Sequence, residues 1–176
     1  TWNYVVYGDP AGGYTQRAAR FVPFDWKIFL VLLFSPSRGL LAFSPFLLFA
    51  VAWGLDRSAR APLSLASFCL YSALATAVFF TCWSTWSGGA CFGPRYLCEA
   101  ALMLCFILPF TMEALRPSAP GWRLFIVCIL FSCHLHILGA KHGDNGWTGK
   151  CFQGDDVGPM WNLPGSQMVW TLIGKP

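Results

Sequence analysis

Four long apolar runs, closely spaced and almost free of charge, constrain this chain more than any other feature. They read "GLLAFSPFLLFAVAWGL" over residues 39–55, "SLASFCLYSALATAVFFTCW" over 64–83, "YLCEAALMLCFILPFTM" over 96–112 and "WRLFIVCILFSCHLHILGA" over 122–140. About 20 apolar residues in a helix cross the hydrocarbon layer of a bilayer, and each run comes close to that. The first and third are slightly short and each holds a proline, Pro45 and Pro109. A spanning helix tolerates proline where neighbours satisfy the freed carbonyl. Composition argues against an aqueous fold. The chain is 56% hydrophobic and 11% charged, against roughly 25% charged in ordinary soluble domains. A folded chain of this size leaves roughly a third of its unfolded surface exposed. The expectation is an all-α membrane protein with about four transmembrane helices over residues 39–140.

The flanking segments complete that picture. Residues 28–34, "IFLVLLF", are too short to span and run into the breaker "SPSRG". With the aromatic approach "RFVPFDW" they read as an interfacial or re-entrant segment. The turn-rich opening "NYVVYGDPAGGY" is expected to continue a longer protein, with residues 1–38 as an extracytoplasmic loop. Residues 141–176 are rich in Gly, Pro and Trp without helical periodicity and are expected to form an irregular extracytoplasmic tail.

Four spans place residues 1–38, 84–95 and 141–176 on one face and the short loops near 56–62 and 113–121 on the other. The short-loop face carries Arg57, Arg60 and Arg116, with Arg123 at a span end. The first face holds eight Lys and Arg in all, but mostly in long segments, which cross largely regardless of charge. The short loops therefore assign the second face to the cytoplasm. The net charge of +4 is dispersed, with no basic cluster for nucleic acid.

Two arginines stand out on the outer face. Arg38 lies in "SPSRGLLAFSP" and Arg95 in "GGACFGPRY", each just before a span. A helix N-terminus favours anions, and a guanidinium fork suits phosphate. Positive charge there is otherwise unfavourable. Two compensations remain open for Arg95: Glu99, four residues on and on the same helix face, or a lipid phosphate or pyrophosphate. Arginines beside a span also serve as headgroup anchors.

Other groups carry weaker signals. Eight cysteines are scattered without a C-x-x-C pair, so a zinc ribbon is unsupported; most lie within spans as small hydrophobes. Cys91 and Cys151 share the outer face and could pair in an oxidising compartment. His134 and His136 point to different helix faces, and Cys133 with His136 makes only two ligands, so helix packing is the favoured role. Asp155 and Asp156 are adjacent and could hold a divalent ion, but GDD turns are common loop chemistry. Asp9 and Asp144 are likewise turn residues, and no cofactor is assigned. The chain has no phosphate loop, dinucleotide fingerprint or HExxH motif.

Taken in order, "NYVVYGDPAGGY", "LLFSPSRGLLAFSPFLL", "WSTWSGGACFGPRYL" and "GPMWNLPGSQMVW" resemble the later part of bacterial polytopic membrane proteins of the GT-C glycosyltransferase-like class. The resemblance covers most of the chain, and the SPSRG and GPRYL motifs are its most specific parts. It implies a C-terminal portion of an inverting enzyme of the inner membrane that takes a sugar from a polyprenyl-phosphate carrier on the non-cytoplasmic side. The catalytic acid is expected upstream of these residues. Arg38 and Arg95 match the family's arginines, with a phosphate-facing or scaffold role. Trp83, Trp86 and Tyr96 would line the sugar or isoprenoid path, or form an aromatic belt at the interface. Gly88 and Gly89 would allow close approach of a ligand, or make a turn. The alternatives are a non-catalytic scaffold or lipid-binding protein of the same architecture and, third, a transporter; the spans show few polar residues and no repeat, which counts against transport.

Overall fold

A computed structural model describes residues 2–8, 21–89, 91–142, 147 and 157–173. The described residues are mostly helical and contain no β-strand; one isolated antiparallel bridge joins Phe21 and Trp83. The helices are α1 (Trp2–Tyr7), α2 (Trp26–Phe34), α3 (Leu40–Phe43), α4 (Leu47–Arg60), α5 (Leu65–Thr81), α6 (Cys98–Cys105), α7 (Leu108–Leu115), α8 (Ala119–His142) and α9 (Gln167–Leu172). Short 3-10 turns at Arg95–Leu97 and Gly158–Trp161 precede α6 and α9.

One of these helices, α8, is long and apolar enough to cross a membrane by itself. Residues Arg95–Cys105 and Leu108–Leu115 pass the same test together but are bent by 55°. α7 places Pro109 in its first turn, where the missing N–H is no loss. The first apolar run is also interrupted. Residues 44–46, "SPF", separate α3 from α4, and α4 then continues past the apolar run to Arg60. α5 is continuous over 17 residues. Residues 28–34 form most of a helix, α2, capped by the Asp25 side chain, which accepts from the Lys27 N–H at 2.8 Å. Val31 and Leu32 of α2 are buried, and α2 packs on α3 and α5. The short segment thus belongs to the core. The tail, expected to be irregular, includes helix α9, which starts from an Ser166 side-chain cap.

Size, rather than polarity, decides which way α5 faces. It is apolar around its whole circumference, so it has no polar side to turn outward. Its buried face is Ala66, Leu70, Ala73, Ala77 and Thr81, together with Ser67 and Cys69. Its outward face is Phe68, Tyr71, Leu74, Val78 and Phe79. Small residues let helix backbones approach closely, and α5 meets α4 and α6 along that side. Four hydroxyls inside the helices bond back onto their own helix. Thr76, Thr81, Thr111 and Ser132 each donate to the carbonyl four residues earlier, at 2.8–3.1 Å. Aromatic pairs tie α4 to its neighbours: Trp53 stacks on Phe110 of α7 at 5.8 Å, and Phe49 meets Phe125 of α8 edge-on at 5.4 Å.

Candidate functional site

The polar centre of the molecule is built where three segments distant in sequence meet. They are the turn 35–39 between α2 and α3, the loop 82–94 between α5 and α6, and the tail around α9. The turn is made by its own residues. The Ser35 hydroxyl accepts from the Arg38 N–H at 2.9 Å, and the Gly39 N–H donates to the Ser35 carbonyl at 2.8 Å. A Cβ on Gly39 would lie 2.4 Å from the Ser35 nitrogen, so the turn admits only glycine there. The loop carries positive φ at Gly88, Gly89 and Gly93, a region that side chains other than glycine rarely enter.

Arg38 fills the space between them. It is 1% exposed. Its Nη1 donates to the Cys91 carbonyl, to the Gly93 carbonyl at 3.2 Å and to Gln167 Oε1 at 3.5 Å, and lies 3.3 Å from Cys91 Sγ. Its Nη2 donates to the Gly89 carbonyl at 2.9 Å. The guanidinium sits over the Trp147 ring, 5.3 Å from its centroid. Converging carbonyl dipoles and an aromatic face help to stabilise this buried cation, through charge-assisted hydrogen bonds and a cation–π contact.

The tail closes the centre. The buried Gln167 side chain accepts from the Gly93 N–H at 2.8 Å and donates to the Cys91 carbonyl at 2.8 Å. The Met168 N–H donates to the Pro36 carbonyl at 3.2 Å, and Trp147 Nε1 donates to the Gly165 carbonyl at 2.7 Å.

The sequence candidates are distributed unequally around this centre. Arg38 is enclosed, with bonds to the carbonyls of Gly89, Cys91 and Gly93. Arg95 is exposed at the start of the 3-10 turn. The Arg95–Glu99 ion pair allowed by their spacing is not formed; both side chains are exposed. The 3-10 turn explains this, because spacing of four brings side chains together only where the whole interval is α-helical. Trp86 is buried in the core at 2% exposure, and Trp83 and Tyr96 are half-buried. Tyr96 stacks on Phe80 at 4.6 Å, nearly parallel, and Trp83 packs against Phe21 and Phe79. These rings join the loop to α5.

His134 and His136 are both exposed; His136 Nε2 lies 3.2 Å from the Ser44 hydroxyl, with its ring beside Phe43 and Phe92. No three His, Cys, Asp or Glu residues among the described ones could hold a metal together. Cys91 is a free thiol; its candidate partner Cys151 lies outside the described residues, as do Asp9, Asp144, Asp155 and Asp156. Gln167 and Trp147 went unflagged by sequence reasoning. Gln167 lies in the tail segment "GPMWNLPGSQMVW", which names no role for it, and Trp147 lies outside that segment with no signal of its own.

Comparison with protein-family models, with curated proteins and with solved structures returns no match.

Proposed function

We propose that this chain is the C-terminal part of an integral membrane glycosyltransferase of the GT-C-like class. It moves a sugar from a polyprenyl-phosphate carrier on the non-cytoplasmic face of a bacterial inner membrane. One observation carries the reading: the two motifs behind the family resemblance form a single unit. Arg38 of "SPSRG" is bonded into the backbone of residues 89–93, immediately before "GPRYL". That unit leaves Arg95 exposed, with no ion pair among the described residues. Arg95 is the residue assigned to the carrier phosphate.

The membrane part of the proposal has its own support. Beside the outward residues of α5 stand exposed Leu124, Val127, Leu130 and Ile137 on α8, and Leu102 and Phe106 at α6. Apolar surface of that extent is unusual on a water-soluble monomer and ordinary in lipid. The four crossings are α3 with α4, then α5, then the bent α6–α7 pair, then α8.

The test is photo-crosslinking of a polyprenyl-phosphate sugar analogue to the protein in lipid nanodiscs. Arg95→Ala is expected to lower labelling about tenfold, the effect of losing one charge-assisted contact. A second reading, a non-catalytic scaffold, draws on the enclosure of Arg38. It predicts unchanged labelling on Arg95→Ala, and that result would reject the enzyme reading.

A further inference from the structure

Gln167 sits at the start of a six-residue helix in the tail, 72 residues beyond Arg95 in the chain, yet one residue separates the two in bonding. Its Oε1 accepts the Gly93 N–H at 2.8 Å. The Gly93 carbonyl in turn accepts the Arg95 N–H at 3.0 Å and Arg38 Nη1 at 3.2 Å. Gly93 is buried with φ of +68°, and the Phe43 ring would lie 3.4 Å from a Cβ there. Both peptides flanking Gly93 are therefore held by bonds, 92–93 through its N–H to Gln167 and 93–94 through its carbonyl to Arg95 and Arg38. On the other side of the Gln167 amide, Nε2 holds the Cys91 carbonyl at 2.8 Å. A primary amide combines two donors with an acceptor and no charge, so it can grip an N–H and a carbonyl two positions apart beside an arginine. The grip is anchored because Ser166 caps α9 and donates to the Leu163 carbonyl at 2.8 Å, and Met168 is bonded to Pro36.

We infer that Gln167 is a positioning residue. Through Gly93 it sets the direction in which Arg95 is presented to a phosphate group. The inference rests on the assignment of Arg95 to a phosphate. The phosphate belongs either to a lipid headgroup or to a free anion, and the experiment separates them.

The experiment is a double-mutant cycle on the full chain in nanodiscs, reading binding of fluorescent farnesyl monophosphate. Arg95→Ala is expected to weaken binding about tenfold and Gln167→Leu to weaken it by a similar factor, each the loss of about one hydrogen bond to a charged or buried group. If Gln167 acts through Arg95, the double variant binds no more weakly than Arg95→Ala alone. Independent losses would multiply, and a multiplied loss, or no loss with Gln167→Leu, overturns the inference while leaving the phosphate assignment standing. Absence of binding by the parent protein, or no effect of Arg95→Ala, overturns both. Gln167→Glu keeps the acceptor for the Gly93 N–H, removes the donor to Cys91 and faces Arg38. It supplies the same cycle should Gln167→Leu not fold, with an expected loss of about threefold that vanishes in the Arg95→Ala background. Competition by millimolar inorganic phosphate assigns the site to a free anion; resistance to it assigns the site to the lipid headgroup.

Discussion

Arg38 and the arginines at the opposite end of the helical bundle are used in opposite ways. At one end the turn 35–39, the loop 82–94 and the tail converge, and Arg38 is sealed among backbone carbonyls with Gln167 and Trp147 around it. At the other end, short turns at residues 61–64 and 116–118 join α4 to α5 and α7 to α8. There Arg57, Arg60, Arg116 and Arg123 are all exposed. The contrast teaches that connection length matters. A turn of a few residues satisfies its own peptides: the Ser64 N–H reaches Ala61 and the Ser118 N–H reaches Leu115. A long loop folded inward leaves carbonyls with no helical partner, and burying them unpaired costs about 1–3 kcal/mol each. A single guanidinium with five donors can serve several of them at once.

The largest expected effect of breaking this contrast comes from Arg38→Ala. It strips donors from the carbonyls of Gly89, Cys91 and Gly93 and should cost on the order of 3 kcal/mol or more. Thermal unfolding in nanodiscs measures the loss. Arg38→Lys is expected to recover only part of it, because an ammonium lacks the planar fork that reaches Gly89 and Gly93 together. Full recovery would mean that charge alone organises this end.

Gly139 of α8 comes next. A Cβ there would sit 2.1 Å from the Phe92 ring, so Gly139→Ala must displace a ring that also packs on Phe43 at 5.3 Å. The expected cost is about 1–3 kcal/mol. Pairing it with Phe92→Leu should cost less than the sum of the two changes; strict additivity in the unfolding data would show that helix and loop do not press on one another.

The smallest effect belongs to the opposite end. Arg60 and Asp56 are 2.7 Å apart, with side chains 72% and 55% exposed. Arg60→Ala should change stability by no more than about 0.5 kcal/mol, because exposed pairs are screened by solvent. A loss comparable to that of Arg38→Ala would erase the distinction between the ends.

Much of the architecture was legible in residue patterns. Pro45 and Pro109 are exceptions: expected to be tolerated inside single spans, they instead lie at the break between α3 and α4 and in the first turn of α7 beyond the bend. The glycines of "WSGGACFG" announce a loop needing unusual backbone angles, as their positive φ values show. The size segregation on α5 was also present, with Ala66, Ala73 and Ala77 recurring at helical spacing. Periodicity of polarity missed it because α5 has no polar face. Residues 28–34 read as interfacial or re-entrant because they are too short to span; Val31 and Leu32 are instead buried where α2 packs on α3 and α5, contacts that no local pattern shows.

Apolar helices and a glycine-rich loop are set by local chemistry within a few residues, and these were readable in the chain. The fates of the two arginines rest on long-range contacts. Arg38 and Arg95 have the same charge and similar neighbours in the chain. Burial of the first depends on carbonyls more than 50 positions away and on a glutamine 129 positions away, partners no local pattern encodes. The second is exposed at the start of a 3-10 turn, with its N–H on the Gly93 carbonyl.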